Sequence, residues 1–214
     1  MICNYFDACA AGYDCHYPQC MTPLDSGGAP TLNSGGAEGA DRLFGELAHK
    51  AGHIVRHYSF GGHDTKCFSG IVILSDEQCR EADPFLIQAN KTLKRTFPSG
   101  SDYVNFLLRR NYWQIKDTKA VFAVAPLERT KRPSYYNTVV KGGTAWAVQM
   151  AIDMKINPIF LFDLNTNKWH KWHESSWISE GDFIIKPRFF NVYTGIGSRR
   201  LTTKGHLAIY GLYQ

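Results

Sequence analysis

The sequence lacks any apolar run long enough to cross a membrane. Its apolar runs, such as that around Pro158 to Leu164, have only the length of a single β-strand. The first residues, Met1-Ile2-Cys3-Asn4, contain no basic stretch followed by an apolar one, so no secretory signal is predicted. We therefore expect a cytoplasmic protein that has no membrane partner.

Charge of either sign is also modest. Charged residues make up 20% of the chain, and the formal net charge is +5. This small basic excess argues against a protein that wraps nucleic acid, whereas the phosphates of a small ligand would satisfy it. A hydrophobic fraction of 44% over 214 residues is enough for one sizeable core.

Cysteines are few outside the N-terminus, where Cys3, Cys9, Cys15 and Cys20 fall within twenty residues. A disulfide framework would suit a small secreted domain, which this chain does not resemble. Zinc is an alternative, because thiolates are among its preferred ligands. The intervening lengths of five, five and four residues include no C-x₂-C pair, however. No cofactor is expected. Two interpretations of these cysteines stay open: they hold a structural zinc ion, or they are reduced thiols without a metal.

The rest of the chain alternates between strand and helix patterns. Apolar runs at Ala120–Ala125 and Pro158–Asp163 suit strands that are buried on both faces. This alternation predicts an α/β fold: a Rossmann-like, mostly parallel sheet with helices on both faces. We predict an irregular, cysteine-rich segment over residues 1–31 and one domain over residues 32–214. Glu128–Asn137 and the stretch containing Trp169, Trp172 and Trp177 are predicted as loops.

Glycine is concentrated in three turns, each predicted to follow a strand and to precede a helix. They are Ser34-Gly35-Gly36-Ala37-Glu38-Gly39, Lys141-Gly142-Gly143-Thr144 and Thr194-Gly195-Ile196-Gly197-Ser198-Arg199. Glycine lets the backbone bend sharply and approach a ligand, and the N–H groups at a helix start favour an anion. In open parallel sheets such turns share one edge, where ligands bind. The alternative is that the glycines only allow helices to pack on the sheet.

These three motifs together resemble the SLOG superfamily, which includes the DprA and LOG proteins. The resemblance covers about Thr31 to Gln214. In DprA-like chains the Gly-Ile-Gly-Ser-Arg strand usually precedes the Ser-Gly-Gly-Ala element, whereas here it comes last. The chain thus resembles a circularly permuted member of the kind associated with phages. The resemblance implies a nucleotide-derived ligand and frequent homodimers or larger homo-oligomers.

Enzymes of the LOG type carry a Pro-Gly-Gly-x-Gly-Thr-x-x-Glu motif whose glutamate serves glycosidic cleavage. In this chain Gly142 and Gly143 match, but Trp146 replaces the threonine and Gln149 replaces the glutamate. A glutamine amide cannot exchange a proton near neutral pH, although it can still form hydrogen bonds. The substitution favours binding over hydrolysis.

Candidate site residues follow from the three turns. Arg199 could bind a phosphate, and Trp146 could stack on a base or lie in the core. Glu38 and Asp41 are candidate catalytic carboxylates, although neither is assigned. The candidate ligand-binding residues are Ser34, Gly35, Gly36, Ala37, Asp41, Gly142, Gly143, Thr144, Trp146, Gln149, Gly195, Gly197, Ser198 and Arg199.

Three functions are compatible with the sequence. The first is non-catalytic binding of a nucleotide-derived molecule. In a phage, the family resemblance implies that this binding would sequester an immune signal such as a cyclic ADP-ribose derivative. The second is a nucleoside-monophosphate N-glycosidase of the LOG type. The third is a DprA-like single-stranded DNA binder, which would need a continuous basic groove with stacking aromatics. The modest net charge argues against the third.

Overall fold

The computed structural model describes residues 28–65, 67, 69–129, 138–181 and 184–214. The strands are β1 (Thr31–Ser34), β2 (Ile54–Phe60), β3 (Ile71–Leu74), β4 (Ala120–Ala125), β5 (Leu127–Arg129), β6 (Thr138–Val140), β7 (Ile159–Asp163), β8 (Lys168–His173), β9 (Ser176–Ser179) and β10 (Val192–Gly197). The helices are α1 (Ala40–Lys50), α2 (Asp76–Arg80), α3 (Asp83–Leu93), α4 (Asp102–Ile115), α5 (Thr144–Asp153) and α6 (Thr203–Gly211), with a 3₁₀ turn at Pro187–Phe189. The predicted zinc ligands Cys3, Cys9, Cys15 and Cys20 lie outside the described residues.

The main sheet has the strand order β3-β2-β1-β10-β4-β7-β8-β9. The pairs from β3 to β7 are parallel, and the β7–β8 and β8–β9 pairs are antiparallel. The predicted α/β fold with a mostly parallel sheet is therefore confirmed.

One predicted loop was wrong, and a second was wrong at its first two residues. The stretch with the tryptophans forms the β8–β9 hairpin, in which the rings of Trp172 and Trp177 contact each other. The start of the predicted loop at Glu128–Asn137 belongs to β5, which pairs with β6 in a separate two-stranded sheet. Long aromatic and basic side chains made the hairpin resemble a solvated loop, whereas cross-strand packing stabilises its two strands.

Both faces of the sheet are covered, as β4 illustrates. Its six residues are fully buried, with Val121 and Ala123 in one hydrophobic core and Phe122 and Val124 in the other. Helices α1 and α6 pack on the Phe122 face, and α3, α4 and α5 lie on the opposite face. A strand that alternates between two cores must be apolar throughout, which explains its uninterrupted apolar sequence.

The last strand of the chain, β10, lies in the centre of the sheet between β1 and β4. Its residue Thr194 pairs with Asn33 of β1, and its Gly197 pairs with Val124 of β4. Because these strands are parallel, their carboxyl ends meet at one edge. The chain continues from β1 towards β3 on one side and from β4 towards β7 on the other. Such a switch point opens a crevice in α/β sheets.

Candidate functional site

A cavity of about 330 Å³ opens at this edge of the sheet. Its size lies at the lower end of the roughly 300–1,000 Å³ that is typical of small-molecule sites. All three glycine turns contribute to it, together with one side of α4. The lining residues are Ala37, Asp41, Val104, Leu107, Leu108, Arg110, Asn111, Lys141, Gly142, Gly143, Thr144, Ile196, Gly197, Ser198 and Arg199.

The first turn leads from β1 into α1 and is held by buried polar contacts. The Arg110 side chain donates a hydrogen bond to the carbonyl of Gly35 (2.7 Å), and the Ser34 hydroxyl donates to the carbonyl of Asp41 (3.2 Å). Gly36 has a φ of +62°, and a β-carbon there would meet Thr65 Oγ1 at 2.6 Å. Ala37 and Asp41 line the cavity, whereas Ser34, Gly35 and Gly36 shape the backbone behind them.

The third turn, at the end of β10, interlocks with the first. A β-carbon on Gly197 would lie 2.4 Å from the carbonyl oxygen of Val124, and one on Gly195 would meet the ring of Phe44 at 2.5 Å. The carbonyl of Ser198 accepts a hydrogen bond from the N–H of Ala40, the first residue of α1 (3.1 Å). Packing therefore requires both glycines, and only Gly197 also reaches the cavity.

The middle turn follows a strand and precedes a helix, as predicted, but its strand β6 belongs to the two-stranded sheet and not to the main sheet. Gly142 and Gly143 are exposed, and nothing lies within 4 Å of the position that a β-carbon would take on either. The carbonyl of Gly142 accepts a hydrogen bond from Arg95 (2.6 Å), and that of Gly143 accepts one from Asn111 (3.3 Å). The turn is thus held by hydrogen bonds to its carbonyls, and the space beside the α-carbons of both glycines is open.

Both helices that begin at the cavity lack a side-chain cap. Gly39 precedes α1 and Gly143 precedes α5, and neither can offer a capping oxygen. The Thr144 N–H, at the first position of α5, has no carbonyl partner within its own helix. An anion at the start of α5 would accept a hydrogen bond from this N–H and would be stabilised by the positive end of the helix dipole.

A buried ion pair forms the floor of the cavity. Asp41 is 3% exposed and Arg110 is 5% exposed, and their nearest charged atoms are 3.7 Å apart. The N–H of Gly197 donates to Oδ1 of Asp41 (3.1 Å), so this carboxylate also fastens the third turn. Burial raises the pKa of Asp41 to about 6, although the Arg110 guanidinium opposes the rise. The Nε atom of Arg110 has no hydrogen-bond partner among the described residues.

Two histidines stand behind the first turn in their neutral form. Burial, and then the charge of Arg110, lower the pKa values of His57 and His63 to about 4. The Nε2 atom of His63 lies 3.1 Å from Nη1 of Arg110, and a guanidinium nitrogen can only donate a hydrogen bond. Its Nδ1 therefore carries the proton and donates to the hydroxyl of Ser59 (2.8 Å). His63 thus accepts from the guanidinium and adds no charge to this region.

Seven of the predicted site residues do not line the cavity: Ser34, Gly35, Gly36 and Gly195, which lie in the turns behind it, and Trp146, Gln149 and Glu38. Trp146 is buried in the core beside Phe97, so it is a core residue rather than a stacking platform. Gln149 donates a hydrogen bond to Asp153 (2.8 Å) and borders a separate small cavity near Trp172. Glu38 is exposed on the turn itself.

Sequence reasoning missed Arg110, Asn111 and Lys141 as cavity residues. The first two belong to a buried polar stripe on α4 that also includes Gln114. The sequence did contain a sign of them, because three polar side chains interrupt the apolar side of the helix that ends at Ile115. Such residues need buried partners. Arg110 and Asn111 donate to the carbonyls of distant turns, and Gln114 donates to Oδ1 of Asn111.

A larger cavity of about 760 Å³ lies between the β8–β9 hairpin and α6. Lys168, Lys186 and Lys204 stand around an apolar floor that includes Trp169. Its described lining residues include none from the glycine turns and no buried ion pair. We therefore regard the smaller cavity as the candidate site.

Metal ligands are not clustered in the described part of the chain, where no group of three or more His, Cys, Asp or Glu side chains could hold an ion. Within the same residues Cys67 and Cys79 are free thiols, and burial raises the pKa of each to about 11. These two cysteines are therefore protonated at neutral pH and poor metal ligands.

Comparison with known proteins identifies no relative of this chain. No family model, no curated protein and no solved structure matches it. In the described residues, none of the helices is long and apolar enough to span a membrane.

Proposed function

We propose that this protein binds a nucleotide-derived small molecule in the cavity formed by the three turns, and that binding rather than catalysis is its activity. The observation that carries the proposal is the meeting of the uncapped start of α5 with the side chain of Arg199 at one cavity. Arg110 and Lys141 also line it, and they pair with Asp41 and Glu128. The only acidic side chain among its described lining residues is Asp41. This arrangement suits an anion.

The two ends of the cavity suggest how the ligand lies. A phosphate fits at the start of α5, where Arg199 can add a charge-assisted hydrogen bond. A base or ribose fits against the apolar wall of Val104, Leu107 and Leu108 on α4. The volume of about 330 Å³ favours one nucleotide unit or a compact cyclic derivative.

The biological setting rests on the resemblance to the SLOG superfamily. In a phage-encoded protein of the host cytoplasm, the cavity would sequester an immune signal such as a cyclic ADP-ribose derivative. The position of Gln149 is consistent with this role, because its amide cannot act as an acid or base and it borders a different cavity. The resemblance also implies a homo-oligomer.

An N-glycosidase is the second candidate, and Asp41 is the observation in its favour. A carboxyl group whose pKa is raised to about 6 is suited to proton transfer near neutral pH. However, the Gly197 N–H already occupies one of its oxygens, and Arg110 faces the other. We therefore rank binding first.

The binding proposal is tested by titrating AMP, NAD, ADP-ribose and cyclic ADP-ribose into the protein by calorimetry. Arg199→Gln should weaken the best ligand by about tenfold or more, because one charge-assisted hydrogen bond is lost. Arg200→Gln is the matched control, since this neighbour is equally exposed but does not line the cavity. No binding of any of the four probes, or equal losses in both variants, would contradict the proposal.

A second variant tests the location of the site without disturbing the fold. Gly143→Leu should abolish binding, because the side chain enters the cavity at a residue with a helical φ of −64° and free space around it. The unfolding free energy should change by less than about 0.5 kcal/mol. Unchanged affinity would show that the ligand binds elsewhere.

Chromatography of each probe after incubation separates binder from enzyme. Intact ligand recovered after heat denaturation is expected, whereas free base would establish the glycosidase instead. A single-stranded oligonucleotide should show no mobility shift even at low salt, and a salt-sensitive shift would favour the DprA-like alternative.

A further inference from the structure

Strand β3 forms one edge of the main sheet, and no described strand lies beyond it. Its sequence, Ile71-Val72-Ile73-Leu74, contains no charge, proline or glycine. Edge strands in soluble proteins normally carry such residues, because unpaired backbone groups otherwise pair with another chain. By contrast β9, at the opposite edge, begins and ends with serine and is followed by Glu180.

Within the described part of the chain, the backbone of β3 presents a set of donors and acceptors that no other strand uses. The N–H of His57 donates to the carbonyl of Gly70, which shows that the peptide groups of residue 70, and in alternation those of 72 and 74, face β2. The N–H and C=O groups of Ile71 and Ile73 therefore point outward from the sheet. The side chains of these two residues are 39% and 62% exposed.

We propose that β3 pairs with β3 of a second copy of this chain, in antiparallel orientation around a two-fold axis through Val72. In this register Ile71 lies opposite Ile73 of the partner subunit, and the two residues exchange both of their hydrogen bonds. The outward groups of one strand are thus satisfied by the same groups of its copy. The two sheets become continuous.

The side chains are self-complementary in this register. Each exposed isoleucine covers the other across the interface, and cross-strand pairs of β-branched residues stabilise a sheet. Further along, Leu74 lies opposite Gly70 of the partner subunit, which leaves space for its side chain. Ser75 lies opposite Ser69 of the partner subunit. No like charges meet between residues 69 and 75.

The cavity stays open in such a dimer, because it lies at β1, β10 and β4 and not at the β3 edge. The interface therefore adds to the proposed function without depending on it. A pair of four-residue strands falls among small interfaces, so we expect the dimer to depend on protein concentration.

Sedimentation of the full chain over a concentration series tests the pairing. The mass should rise from 24.2 kDa towards twice that value for the wild type. Ile73→Lys should remain at 24.2 kDa, since its charge would face apolar Ile71 of the partner subunit. A wild type that stays monomeric throughout, or a Lys variant that dimerises equally well, would overturn the proposal.

A disulfide test examines the register directly. The two Val72 residues would form a non-hydrogen-bonded pair with Cα atoms about 4.5 Å apart, which a disulfide can bridge. Val72→Cys should therefore cross-link to itself under mild oxidation, as peptide mapping by mass spectrometry would show. Ile71→Cys is the control on the same strand, because its copies would lie about 7–8 Å apart. Cross-linking by the control, or none by Val72→Cys, would exclude this register.

Discussion

In the turns that follow β1 and β10, a β-carbon has no room. On Gly35 it would lie 2.5 Å from Asp41 Oδ2, and on Gly39 it would lie 2.2 Å from the carbonyl oxygen of Arg199. Around Gly142 and Gly143, nothing lies within 4 Å of the same position. Glycine thus allows close packing in two of the turns and leaves open space in the third. The first and third turns form an interlocked scaffold, and the middle turn forms an open rim.

This difference separates packing from ligand contact. In the scaffold, a substitution would change the fold and the cavity together, so a loss of binding would say little about the ligand. On the rim, a substitution would act on the ligand alone. Substitutions in each kind of turn test whether the scaffold and the rim differ in this way.

The largest effect is expected at the floor of the scaffold. Arg110→Met should destabilise the protein by about 3 kcal/mol or more in urea unfolding, because it leaves Asp41 buried without its cation and Gly35 without its donor. Arg109→Met is the matched control. Arg109 is partly exposed and pairs with Asp83 (2.7 Å), and such pairs contribute up to about 1 kcal/mol.

The double variant Arg110→Met with Asp41→Asn should recover part of the loss, because it removes the uncompensated charge as well. Equal losses for the two arginine variants would show that the buried pair is not what holds the first and third turns together. A double variant less stable than Arg110→Met alone would indicate that Asp41 acts mainly through its bond to Gly197.

An intermediate effect is expected from a single methyl group in each kind of turn. Gly197→Ala should cost about 2 kcal/mol, because the new carbon would press on the Val124 carbonyl and on Ala40 of α1. Gly143→Ala should stay within about 0.5 kcal/mol. Thermal and urea unfolding of the two variants measure this contrast. Similar costs in both turns would remove the distinction between scaffold and rim.

Sequence periodicity predicted much of the fold for a clear reason. The apolar run Ala120–Ala125 is buried on both faces, and only a central strand of a parallel sheet has that environment. The tryptophan hairpin was not predictable in this way, because its residues are only partly buried and its stability comes from pairing with β7. Strand β3 has four residues, too few for a period to emerge.

The candidate site was predicted in outline and not in detail. The motifs indicated where the three turns lie in the sequence. The meeting of the first and third turns follows from parallel strand order, whereas the middle turn follows β6, outside the main sheet. The direction of each side chain depends on tertiary packing, so Trp146 and Gln149 point away although they lie on the right helix. Arg110 belongs to the site through contacts with residues about seventy positions away in the chain.

The smallest effect is expected on how the free energy of unfolding changes as the pH falls. His57 and His63 have pKa values lowered to about 4 in the folded state, from 6.5 when unfolded. The unfolded chain therefore binds more protons at these histidines between pH 6.5 and 4, and stability falls as the pH falls through this range. Asp41 acts in the opposite direction, because its pKa is raised from 3.8 to about 6 and the folded state takes up its proton first. Two histidines outweigh one carboxyl group, so a net loss of stability in acid is expected.

His63→Gln should flatten this loss, and Asp41→Asn should steepen it by removing the opposing contribution. Urea unfolding across the pH window measures both slopes, and His173→Gln serves as the control on the exposed hairpin. Hydrogen exchange at the same pH values should show the amides of β2 and α1 opening before those of α5, because the titrating groups lie behind the first turn. Acid opening that begins at α5 would place the weaker region at the middle turn and reverse the comparison.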